Sequence, residues 1–111
     1  MTPTMDSLVD LAKTIAGRGI PTALDPRDLD APGALVELNR LGTDTMLCGD
    51  VTALASVYLV VPDNGRVEAT GRLLEMYERV KDLTTGAEPV DLALPDTAPL
   101  PALKLNPVDL T

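Results

Sequence analysis

Apolar residues recur along the chain with a helical spacing in two segments and with alternation in several others. Over residues 5–16, Met5, Leu8, Val9, Ala12, Ile15 and Ala16 return every three or four positions, which predicts an amphipathic α-helix. Thr4 can cap its start, Asp6 suits the positive end of its dipole, and Gly17-Arg18-Gly19 supplies a stop. Residues 20–24 read as a short edge strand, because Pro21 cannot donate to a ladder. Residues 25–33, with Pro26, Pro32, three Asp and Gly33, read as a loop. A strand follows over 34–41, its alternation blurred by Leu35 beside Val36, and residues 42–50 form a turn or wide hairpin connection.

Residues 51–61 carry the strongest strand pattern, bounded by Gly49-Asp50 and Pro62. One side presents Val51, Ala53, Ala55, Val57, Leu59 and Val61, the other Thr52, Leu54, Ser56, Tyr58 and Val60. Both faces are mostly apolar, so the strand is expected to be central and covered on both sides. Asp63-Asn64-Gly65 ends it and can cap a second helix over 66–84, with Val67, Thr70, Leu73, Leu74, Tyr77 and Val80 as the apolar face. Gly71 inside that helix implies either close packing or simple tolerance, and Glu75 and Arg79 offer i,i+4 support. Residues 89–94 alternate like a strand exposed on one side. The proline-bearing residues 95–111 include an expected edge strand or arm at 102–108, which either returns to the sheet or lies against a neighbour.

The order is roughly α-β-β-α-β-β. It predicts an α+β fold in which two helices pack on one face of a small mixed β-sheet, with residues 1–94 as a single domain and 95–111 as its arm. With both helices on one face, either Leu54, Tyr58 and Val60 or the opposite set remains exposed in an isolated subunit, which argues for self-association.

Composition narrows the function. The 111 residues hold 17 acidic and nine basic side chains, a net charge of -8, and neither His, Phe nor Trp. A chain this short supports one hydrophobic core. Tyr58 and Tyr77 are its only aromatic residues, so the core is built from Leu, Val, Ala, Ile and Met and gains little area per residue. The missing His removes the commonest metal ligand and the usual neutral-pH proton switch. Cys48 has no cysteine to pair with, which points to a reducing compartment or a fold indifferent to redox state, and reads as a small core side chain. No run is apolar enough to span a membrane, no signal-peptide pattern opens the chain, and the acidity disfavours wrapping nucleic acid.

Glycine-rich phosphate loops and nucleophile elbows are absent from the sequence. Asp25, Asp28 and Asp30 do not follow a calcium-loop spacing, and Asp25, Asp28, Asp50 and Asp63 are acid catalysts only by composition. The expectation is a non-catalytic subunit with no metal and no cofactor.

The helix ending at Gly17-Arg18-Gly19-Ile20, the loop Asp25-Pro26-Arg27-Asp28-Leu29-Asp30-Ala31-Pro32 leading into a strand, the long strand over 51–61, the second helix and the proline-bearing C-terminal strands together resemble tail-terminator and related head-to-tail connector proteins of long-tailed bacteriophages, particularly those of actinobacteria. The resemblance covers most of the chain through soft, turn-forming motifs. It implies a virion protein of the tail or neck, assembled in the host cytoplasm, whose hexameric ring caps the tail tube and joins it to the head. Its partners would be other copies of itself, the tail tube protein and a connector or stopper protein, with DNA passing transiently through the ring and no membrane involved. Asp25, Pro26, Arg27 and Pro32 match the family's loop, where they would shape subunit contacts; the alternative is that Asp25 and Asp28 fix turns and Arg27 is solvated.

Within such a ring, acids facing the lumen would keep contacts with DNA transient. Arg27, Arg40, Arg66 and Arg72 are candidates to meet acids of the next subunit, and Asp25, Leu54, Tyr58, Leu100, Leu103 and Leu105 complete the candidate interface. Other readings are a stopper or adaptor ring at the same junction, a small acidic cytoplasmic adaptor or inhibitor, and a carboxylate-based enzyme.

Overall fold

The computed structural model describes residues 5–44, 50–63, 65–93 and 98–110. Helix α1 spans Met5–Ala16, strand β1 Thr22–Ala23, β2 Gly33–Asp44, β3 Asp50–Val60, helix α2 Arg66–Val80, β4 Ala87–Leu92, β5 Leu100–Leu105 and β6 Val108–Asp109. Short 3-10 turns lie at Pro26–Asp28 and Lys81–Leu83. The sheet order is β1-β2-β3-β5-β4, with β6 also paired to β3. Only β1 and β2 run parallel; the other pairs are antiparallel. This is the expected small mixed α+β fold, with both helices on one face of the sheet.

The core shows why that face is the helical one. From the sheet it takes Ala34 and Val36 of β2, Ala55, Val57 and Leu59 of β3, Val61 just beyond it, and Leu105 of β5. Against them pack Ile15 of α1, Ile20 after it, and Ala69, Leu73, Met76 and Val80 of α2. Burying mostly aliphatics and Ala on both sides lets helix and sheet approach closely, with the aromatic Tyr77 packed at the margin of the cluster. Gly19, at φ 85°, takes the left-handed conformation that ends α1, and its N–H donates to the Ala16 carbonyl at 3.0 Å. The helix ends are then tied together: the Arg18 guanidinium donates to both Asp82 carboxylate oxygens at 2.6 and 3.0 Å and to the Arg79 carbonyl at 2.8 Å.

Two expectations change, and a third is decided between its alternatives. The buried stripe of α2 is Ala69, Leu73, Met76 and Val80, while Val67 and Leu74 are exposed. Positions 69, 73, 76 and 80 keep one line along the helix, whereas Leu73 and Leu74 lie a 100° step apart and cannot both face the sheet. The expected C-terminal edge strand is instead β5, inside the sheet between β3 and β4, with β6 continuing along β3. The start of α2 is Gly65 with no side-chain cap, and Gly71 has open space around the position a Cβ would take, so its presence is tolerated rather than demanded by packing. Thr4, Cys48 and Asn64 lie outside the described residues.

Candidate interaction surface

The strand pairing decides which side chains share the sheet face that the helices leave uncovered. Cross-strand partners point to the same side. Tyr58 stands opposite Leu35 on one flank and Lys104 on the other, and Lys104 stands opposite Glu88. The next row is Gly33, Val60, Ala102 and Val90; beyond it Leu100 faces Leu92. In the other direction Glu37 pairs with Ser56 and Arg40 with Leu54. On this face Leu35, Ser56, Val60 and Ala102 are buried within the chain, Leu54, Tyr58, Leu100 and Lys104 are half-buried, and Arg40 and Glu88 are exposed, with Glu37 half-buried on β2.

A β-bulge shapes one end of this face. The register slips at Asn39 between the Leu38–Ala55 and Arg40–Leu54 pairs. Asn39 Nδ2 donates to Ser56 Oγ at 2.6 Å, which satisfies the buried serine hydroxyl. The extra residue places Leu38 and Leu41 together on the helix side, 47 and 60 % exposed, and turns Arg40 to the open face.

At the other end the face is partly closed. A Cβ on Gly33 would lie 2.6 Å from the Asp30 carbonyl oxygen and 3.3 Å from Leu29 Cδ1. Because Gly33 is the register partner of Val60, residues 29–32 fold over this corner. Val60, expected with Leu54 and Tyr58 as an exposed set, is consequently buried, whereas Leu54 and Tyr58 are half-buried.

Of the sequence candidates, Arg40, Leu54, Tyr58 and half-buried Leu100 share this face, Arg40 beside Leu54 at one end and Leu100 at the other, with buried Ser56, Val60 and Ala102 between them. Leu105 does not: it is buried in the chain's own core, and Leu103 packs against that core as the partner of Leu59. The reason is the interior position of β5, which gives its helix side to the core rather than to a neighbour. Asp25 and Arg27 lie apart in the Pro26–Asp28 turn. There Asp25 Oδ1 accepts from the Arg27 backbone N–H at 2.9 Å, which holds the Asp25 carboxyl below the usual carboxylate range, and Arg27 Nε lies 3.5 Å from the same oxygen. These are turn-fixing contacts within the chain. Arg72 pairs with Glu68 one helical turn away at 3.1 Å. Asp28 is exposed at the end of the same turn, Asp30 and Asp63 are exposed in loops, and the side chains of Asp50 and Arg66 lie outside the described residues.

Lys104 and the Asn39–Ser56 pair were missing from the sequence candidates. Both depend on strand register, which an alternating pattern in one strand does not specify. Among the described residues, no group of three or more potential metal ligands forms a metal-binding cluster. No helix among them is long and apolar enough to cross a membrane. Comparison of the chain with protein-family models, with curated proteins and with solved structures gives no match.

Proposed function

We propose that the chain is a non-catalytic structural subunit that self-associates through the open sheet face, and that the assembly is a ring at the end of a phage tail tube, a tail terminator that caps tube polymerisation and joins tail to head. The observation that carries the self-association is the band on the face opposite both helices in which Leu54, Tyr58 and Leu100 stay half-buried among Ser56, Val60 and Ala102, which the chain itself buries. Such a band loses apolar contact with water when another subunit covers it. The phage assignment rests on the sequence resemblance. In this reading the neighbours are the tail tube protein and a connector or stopper, no cofactor is used, and the net charge of -8 suits a channel through which DNA slides without being held. A stopper or adaptor ring at the same junction would use the same surface.

Electron microscopy and solution mass of the purified chain test the proposal together. Six-fold rings are expected; monomers at all concentrations would contradict it. Tyr58→Asp is expected to abolish assembly while circular dichroism keeps the folded spectrum. Loss of the folded spectrum would instead assign Tyr58 to the chain's own core.

A further inference from the structure

Strand β2 pairs with β3 along its whole length on one side, whereas on the other side β1 covers only Ala34 and Leu35. The Ala34 N–H donates to the Pro21 carbonyl at 2.8 Å, so Ala34 and, by alternation, Leu38 turn their backbone groups away from β3, and the Asn39 bulge passes this direction on to Leu41. Among the described residues no strand pairs with Leu38 or Leu41 on that outer side. The opposite edge of the sheet is guarded. The Gly86 carbonyl accepts from the Asn106 N–H, so by the same alternation Pro89 of β4 faces outward, where it offers no donor to an approaching strand. Nothing of this kind blunts the β2 edge. Leu38 and Leu41 project from it on the helix side, 47 and 60 % exposed, and Glu37 and Arg40 lie on the other side with no ion-pair partner among the described residues.

We infer that the outer edge of β2 pairs antiparallel with the same edge of a second copy, about a two-fold axis between Asn39 and Arg40. Leu38 of each copy then stands opposite Leu41 of the other, so the exposed leucines cover one another, and the outward backbone groups meet the complement that fits them, another strand edge. On the opposite side Arg40 of each copy comes diagonal to Glu37 of the other. Opposite charges therefore meet on both halves of the contact, and the segment is locally neutral although each chain carries -8. A paired segment this short falls below the roughly 20–30 residues a side of a stable interface, so it does not hold two free chains together. A two-fold contact also cannot join neighbours within a cyclic ring. It joins one ring to another, repeated once per subunit, and many weak contacts then act at once. The pairing thus rests on the reading of the chain as a ring-forming subunit and adds a second surface to it.

The test follows ring mass by sedimentation and electron microscopy, with every variant of the full chain shown to be folded by circular dichroism. Wild-type rings are expected to pair as concentration rises, doubling in mass, whereas Leu41→Asp rings stay single. Arg40→Glu rings and Glu37→Arg rings are each expected to stay single, because like charges then face each other. A mixture of these two is expected to pair again, since every contact between unlike rings sets an acid against an arginine, a rescue that no effect within one chain can produce. Should either charge variant form no ring, Leu38→Lys mixed with Leu41→Asp serves in its place. Wild-type rings that never pair, Leu41→Asp rings that pair equally, or a mixture that stays single would overturn the edge contact while the sheet-face reading stands. A wild type that forms no ring removes both.

Discussion

Replacing Leu105 by Ala separates the chain's own core from its candidate interface. Leu105 is 1 % exposed and belongs to the cluster that joins both helices to the sheet. The change removes three buried carbon atoms, about 2.5 kcal/mol of transfer free energy, and incomplete collapse of the cavity raises the loss to as much as about 5 kcal/mol. For a chain of this size 1 kcal/mol corresponds to roughly 4 °C, so the melting temperature should fall by about 10–20 °C. The assay is thermal denaturation followed by circular dichroism, run at a concentration where the wild type is monomeric, with Leu100→Ala as the comparison. Leu100 sits half-buried on the open face, and its loss should lower the monomer's melting temperature by far less. Equal small shifts for both variants, with assembly lost only in Leu105→Ala, would refute the placement of Leu105 in the core and return it to a partner-facing role.

Three further perturbations follow from local geometry. Gly71→Ala should stabilise the monomer by about 1 kcal/mol in urea unfolding, because the methyl group has open space and glycine weakens a helix interior. Gly33→Ala should destabilise it by about 1–3 kcal/mol in the same measurement, since the new Cβ meets the Asp30 carbonyl oxygen 2.6 Å away on a segment that cannot retreat without uncovering Val60. Hydrogen bonding to Arg18 lowers the pKa of Asp82, so this carboxylate stabilises the fold above the ordinary carboxylate range and ceases to do so as pH falls through its depressed value. Melting temperatures measured from pH 7 down to below 3 should therefore decline less steeply on the acid side for Asp82→Asn than for the wild type, and added salt should narrow the difference, because both groups are solvent-accessible.

Local chemistry made much of the fold legible. The three- and four-residue spacing from Met5 to Ala16 marks α1 to the residue, and the apolar run before Pro62 marks β3 and its central place. What escaped was set by distant partners. Leu73 and Leu74 are equally apolar, and only the position of β3 and β5 beneath the helix decides that Leu73 is buried and Leu74 is not. The insertion of β5 between β3 and β4 reverses the expectation for Leu105, because a C-terminal strand that follows β4 need not stay at the edge. The blurred alternation of β2 reflects burial on both faces, since adjacent Leu35 and Val36 point to opposite sides and are both buried, and farther along the Asn39 bulge lets Leu38 and Leu41 share a side although they are three residues apart. For the candidate surface, Tyr58, Leu54 and Arg40 were visible as a half-apolar strand and a nearby cation, but their meeting with Lys104 needed the register between β3 and β5.

The central claim is that the open sheet face is an interface between copies of this chain. Sedimentation of the wild type beside Tyr58→Asp, over a concentration series and with both proteins folded by circular dichroism, tests it most directly. The wild type should shift from monomer to a closed ring of defined mass while the variant stays monomeric throughout. A wild type that remains monomeric, or a variant that assembles as the wild type does, would contradict it.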